Sequence, residues 1–133
     1  MPSKQPVPAA LAGAHTSYAA ELIRVIDGDT FEARVSIWPG VEVTTKVRLR
    51  GIDAPELKAR CQNEAARAQA AREALAQLLA QGGIAIEEVA NDKYGGRILA
   101  RASSSGTPDL AAAMIASGLA RPYAGGRRQS WCD

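Results

Sequence analysis

Apolar positions begin a regular pattern near Tyr18, where Leu22, Ile23, Val25 and Ile26 lead into the turn signal Asp27-Gly28-Asp29-Thr30. Beyond it, Phe31, Ala33, Val35 and Ile37 alternate with Glu32, Arg34 and Ser36, the two-residue repeat of a half-buried strand. Trp38-Pro39-Gly40 breaks the repeat, and alternation resumes at Val41, Val43, Thr45, Val47 and Leu49. These segments predict three strands in an up-and-down meander, the last two antiparallel if 38–40 turns the chain back.

The period then changes. Asn63 offers an N-cap, and the Ala/Leu-rich stretch after it places Ala68, Ala71, Leu75, Leu78 and Leu79 on one helical stripe. Gly82 stands where a left-handed helix end belongs. Short strands are predicted at 84–89 and 97–102, flanking the loop that holds Asp92, Lys93, Tyr94 and two glycines. Thr107-Pro108 signals a second helix, with Leu110 and Met114 inward and Gly118 closing it. Three strands, a helix, two strands and a helix predict a mainly β chain with two or three helices (α+β), a five-stranded Greek-key barrel of the OB type. Residues 1–17 read as a flexible arm and 18–133 as one domain.

Composition narrows the chemistry. A chain of 133 residues, 47% hydrophobic and 23% charged, suits a single core, and a formal charge of +2 is too small to argue for nucleic acid by itself. No apolar run of about 18 residues predicts a membrane span. The single histidine, His15, lies in the arm, and Cys61 and Cys132 are far apart, which argues against a zinc site or a Ser-His-Asp triad. Carboxylates, arginines and a hard cation remain. The cysteines fit either two buried thiols or one disulfide; the second would tie down the C-terminus and favour a secreted or periplasmic setting. No signal peptide is visible at the N-terminus.

In the stretch from Val47 to Glu56, strand alternation turns Val47 and Leu49 inward and Arg48 and Arg50 the other way. Asp53 and Glu56 follow around Pro55, whose ring restricts where the two acids point. Each signal alone has an ordinary reading. Asp-Ala-Pro-Glu can be a helix entrance, Asp29 a turn residue, Arg97 a solvated strand arginine and the loop before it a plain hairpin.

Taken together and in order, Asp27-Gly28-Asp29-Thr30, the segment Arg48–Glu56, a helix, and Asp92 to Arg97 resemble the staphylococcal nuclease (thermonuclease) family from about Ile23 to Tyr123. The resemblance implies that Asp29 and Asp53 ligate Ca2+, joined by the main-chain carbonyl of Ala54, where the family archetype has threonine. It implies Glu56 as general base, Arg48 and Arg97 as the catalytic arginines, and Lys93 and Tyr94 as contacts to the substrate phosphate. The implied activity is that of a monomeric endonuclease hydrolysing single-stranded DNA and RNA to 3′-phosphates. Against the archetype, an extra glycine precedes Arg97, so that Arg97 is expected to reach the site through a bulge. The 38–46 connection is longer, and no long C-terminal helix follows. The rival reading is a non-catalytic OB-type module that binds nucleic acid or protein.

Overall fold

The computed structural model describes residues 16–92 and 95–132. His15, Lys93 and Tyr94 lie outside them, as does most of the arm 1–17; Ser17 already belongs to the first strand. The strands are β1 (Ser17–Asp27), β2 (Thr30–Trp38), β3 (Val41–Leu49), β4 (Ile52–Asp53), β5 (Ile84–Asn91), β6 (Arg97–Ser103) and β7 (Arg121–Pro122). The helices are α1 (Gln62–Leu79) and α2 (Leu110–Ala116).

Five strands close a barrel in the order β1-β2-β3-β6-β5, with β5 returning to β1. All neighbours are antiparallel except β3 and β6, which run parallel through Lys46↔Arg97 to Leu49↔Ala100. This is the OB-type architecture that the alternation predicts. Two-residue alternation fills the interior with Phe31, Ala33, Val35, Val47, Leu49, Ile86, Ala100 and Ala102. Helix α1 lays Ala71, Leu75 and Leu79 against that core and also buries Ala68, while Leu78 is only partly buried at its flank.

The alternation fails as a guide to burial at the outer end of the β2–β3 hairpin. Ile37, Val41 and Val43 are exposed there, and Trp38 is 69% exposed. The pairing of β1 with β2 stops at Ala20↔Val35, and β3 meets β6 only from Lys46. Beyond those points the hairpin has no second layer to pack on.

Both helix starts differ from expectation. The N-cap of α1 is Cys61, not Asn63: the Glu64 amide donates to Cys61 Sγ at 3.4 Å. Cys61 is bonded to Cys132, with the two Cα atoms 5.9 Å apart. For α2 the cap is Asp109, whose carboxylate accepts from the Ala112 amide, because Thr107 is engaged with Ser104 in a bridge one turn earlier. Gly82 and Gly118 do adopt left-handed conformations just past the helix ends.

A small second sheet went unread in the sequence. Ile52 pairs with Pro122 and Asp53 with Arg121, and the Tyr123 amide donates to the Gly51 carbonyl at 2.8 Å. Two-residue strands carry little periodicity, yet this ribbon brings the C-terminal segment to the loop after β3.

Candidate active site

The site lies where the β1–β2 turn, the end of β3 and the loop before α1 converge. Asp27 pairs with Thr30 across a two-residue turn, Gly28-Asp29, so Asp29 closes the turn and β2 begins one residue later. Glycine is required at 28 by close approach: a Cβ there would stand 2.6 Å from Ala71 Cβ of α1 and 3.1 Å from Ala54 Cβ. The helix therefore presses directly on the turn that presents Asp29.

Asp29 is buried and fully engaged. Its Oδ1 accepts from the Thr30 hydroxyl at 2.8 Å, and its Oδ2 from the Ala54 amide at 3.0 Å. Strand β3 delivers Arg48 opposite Thr30. One terminal nitrogen of Arg48 stands 3.6 Å from Asp29 Oδ2 and 3.9 Å from Asp53 Oδ1. Two acids 24 positions apart in sequence thus share one guanidinium nitrogen, and the two contacts laid end to end bound their separation. The Arg48 guanidinium also lies 5.9 Å from the centre of the Tyr123 ring.

Gly51, at φ +82, bends the chain out of β3 and into Ile52-Asp53. Asp53 is buried, and its Oδ2 accepts from the Trp131 indole at 3.2 Å. Its Oδ1 accepts no aligned hydrogen bond, although Arg128 Nε stands 2.6 Å away. Arg128 further donates to Glu56 Oε1 at 2.8 Å and to the Ala54 carbonyl at 3.2 Å. Burial alone would lower the Arg128 pKa; hydrogen bonding to Glu56 and the charges of Asp53 and Glu56 outweigh it and raise the value, so the guanidinium keeps its charge.

Glu56 projects into a groove of about 980 Å³ that Asp29, Arg48, Arg50, Arg97 and Tyr123 also line. The loop carrying Glu56 is fixed from both sides. Glu64, in the first turn of α1, accepts from the Arg60 amide at 2.9 Å and the Glu56 amide at 3.4 Å. The Arg60 amide bond is the main cause of a lowered Glu64 pKa. Asp27 accepts from the Leu57 amide at 3.2 Å, and burial, reinforced by Asp29 and Glu56, pushes its carboxyl above the usual range.

Arg97 opens β6 directly after Gly96, whose φ of +83 absorbs the extra glycine within the turn. No bulge is needed at Arg97; the irregularity of the β5–β6 pair falls between Glu87 and Ala90. Arg97 is ion-paired with Asp92 and lines the groove. Arg50 lines it too, with Nε bound to the Glu88 carbonyl at 2.7 Å. Lys93 and Tyr94 lie outside the described residues.

The cluster suits a hard cation. Asp29, Asp53 and Glu56 gather three carboxylates against two guanidinium groups, Arg48 and Arg128, that touch them. Asp27, whose pKa burial raises, is close enough for Asp29 and Glu56 to raise it further. Asp53 Oδ1 is moreover a buried oxygen without an aligned donor, the kind of group a cation would satisfy. With both arginines wedged among them, no three of these carboxylates bring their oxygens within 4.8 Å of one another. Among the described residues the trio that does come so close, Cys61, Glu64 and Cys132, is a cystine beside a carboxylate already bonded to amides.

Sequence reasoning missed Arg128, Trp131 and Glu64 as parts of this site; Tyr123, which the resemblance offers as a substitute for a family tyrosine, does line the groove. Arg121, Arg127 and Arg128, all among the last thirteen residues, give the sequence a local positive bias there but nothing that positions it.

Comparison with known proteins accords with this arrangement. The family described as staphylococcal nuclease homologue matches residues 46–130, from the end of β3 to the Arg128 segment. Protein ParB of Escherichia coli is 32% identical over 110 residues, which cover 77% of this chain and 56% of that protein. The chain thus spans a little over half the length of that relative. With its barrel, its convergent acids and arginines, and a match over most of its length, the chain belongs to the staphylococcal nuclease homologue family.

Proposed function

We propose that the protein is a calcium-dependent endonuclease that hydrolyses phosphodiesters of single-stranded DNA and RNA, leaving 3′-phosphates. One observation carries the reading: Asp29 and Asp53 meet at one nitrogen of Arg48, beside a groove into which Glu56 projects. Asp29, Asp53 and the Ala54 carbonyl would hold the calcium ion. When bound, the ion supplies a Lewis acid for a phosphoryl oxygen.

The rest falls to side chains of this chain. Glu56, with 43% of its side chain exposed, accepts the proton of an attacking water as the water oxygen bonds to phosphorus. The bond from phosphorus to the 5′-oxygen breaks, that oxygen takes a proton from solvent water and leaves as a hydroxyl, and the phosphate stays on the 3′ side. Negative charge accumulates on the phosphoryl oxygens during attack. Arg48 and Arg97 are suited to receive it, because guanidinium stays charged and offers a planar fork of donors. Asp29 and Asp53 hold Arg48 ready, so little reorganisation accompanies the step. Lys93 and Tyr94 contact the substrate phosphate in this reading. A single barrel of this size acts as a monomer, and the Cys61–Cys132 bond fits a secreted or periplasmic setting.

The rival, a binding module without catalysis, would not need a complete set of acids, base and arginines around one groove. The test is degradation of single-stranded DNA and RNA with calcium, with magnesium and with chelator, beside Glu56→Gln. We expect calcium-dependent cleavage lost with chelator and in Glu56→Gln. Retained binding with no cleavage under any condition would establish the module instead.

A further inference from the structure

Arg128 touches two of the oxygens assigned above to the cation. Its guanidinium stands 2.6 Å from Asp53 Oδ1 and 3.2 Å from the Ala54 carbonyl, and it bonds Glu56 at 2.8 Å. A calcium ion sits about 2.3–2.6 Å from its oxygen ligands. Bound to the same Asp53 oxygen, it would stand against a like charge in a partly buried setting, where repulsion is poorly screened. The two cations therefore exclude one another. We propose that Arg128 is a resident counter-cation of the acid cluster, one that a divalent ion displaces on binding; the inference rests on the reading of these acids as a cation site.

The surrounding structure keeps such an exchange local. Asp53 Oδ1 has no aligned hydrogen bond to lose when Arg128 leaves, and the bonds given up to Glu56 and the Ala54 carbonyl are what the ion's own attraction to those oxygens replaces. The segment carrying Arg128 is pinned at both ends. Upstream, Tyr123 bonds the Gly51 carbonyl through its amide and the Gly126 carbonyl through its hydroxyl. Downstream, buried Trp131 lies under the Arg121 guanidinium at 3.7 Å, and Cys132 is bonded to Cys61. Between the anchors, Gly125 and Gly126 both have positive φ. Only the middle of the segment has to move, and its anchors keep the guanidinium at a high local concentration beside the acids. Until an ion arrives, Arg128 offsets the repulsion between Asp53 and Glu56.

The test is calorimetric titration of the oxidised full chain with calcium chloride, without substrate, for the wild type, Arg128→Gln, Arg128→Lys and Arg127→Gln. Arg127 is exposed and serves as the control for loss of one positive charge nearby. We expect Arg128→Gln to bind calcium at least about tenfold more tightly, Arg128→Lys to stay close to the wild type, and Arg127→Gln to change affinity by less than about threefold. A second readout uses the Trp131 indole, which donates to Asp53. In a Trp38→Phe background its emission should shift with calcium, and at lower calcium once Arg128 is replaced. Calcium binding by the wild type with equal or weaker binding by Arg128→Gln overturns the exchange and leaves the nuclease reading standing. Absence of binding to both proteins at millimolar calcium overturns the exchange and the cation site together.

Discussion

Single residues decide the site by what they touch. Arg48 is held by two acids and stacked near Tyr123, so its fork is already aimed at the groove. Replacing it with alanine should lower kcat by about 10²–10³ with much less effect on KM, as expected for a donor used mainly in the transition state; steady-state kinetics on a single-stranded oligonucleotide would read it. Gly28 offers a packing test. In Gly28→Ala the new methyl meets Ala71 Cβ at 2.6 Å, so α1 or the turn must shift. We expect a loss of about 1–3 kcal/mol in urea unfolding together with weakened calcium binding, since the same turn presents Asp29. The Asp-Gly step was legible as a turn, and Asp29, Asp53, Glu56 and Arg48 were legible as a set only through the resemblance that the ordered motifs carry. The reason for the glycine was not, because the helix that crowds it begins 34 residues later.

Among the elements, the first turn of α1 does the most for the site. Glu64 ties the Arg60 and Glu56 amides to the helix, and the lowered pKa means that folding favours its ionised form. A depressed carboxylate pKa gives stability that is present above the unfolded value and lost as pH falls through the folded one. Glu64→Gln should therefore cost about 1 kcal/mol near pH 7, with the difference from wild type shrinking below about pH 4.5; thermal melts across that range would show whether the two curves converge. The cap of this helix was hidden from sequence reading for a physical reason. A cystine sulfur accepts the Glu64 amide; the Cys61–Cys132 bond is one of the two readings of the cysteines, but nothing local to Cys61 announces that its sulfur caps the helix. Strand periodicity had the opposite weakness. It located β2 and β3 but could not tell where the neighbouring strands stop supporting them, so Ile37, Val41 and Val43 looked like core.

On the scale of the whole molecule, the C-terminal segment finishes what the barrel begins. The β4–β7 ribbon, the Trp131 indole on Asp53, Arg128 and the Cys61–Cys132 bond all attach residues 121–132 to the loop of acids. Closing a loop of 71 residues contributes about 4 kcal/mol in the chain-entropy treatment. The Cys61→Ser/Cys132→Ser double variant should melt well below the oxidised wild type, and reductant should lower the wild-type melting temperature without moving the variant. Equal melting temperatures would separate the bond from stability.

The parallel meeting of β3 with β6 carries a consequence for biogenesis. Every other barrel junction except β1–β5 joins consecutive strands, whereas this one waits for residues 97–100 to find 46–49. As the nascent polypeptide leaves the ribosome, the first three strands can pair early, but the cylinder stays open until its last staves have been synthesised. During that interval the edge of β3 is bare, and a newborn chain stalled there offers it to any other extended segment nearby.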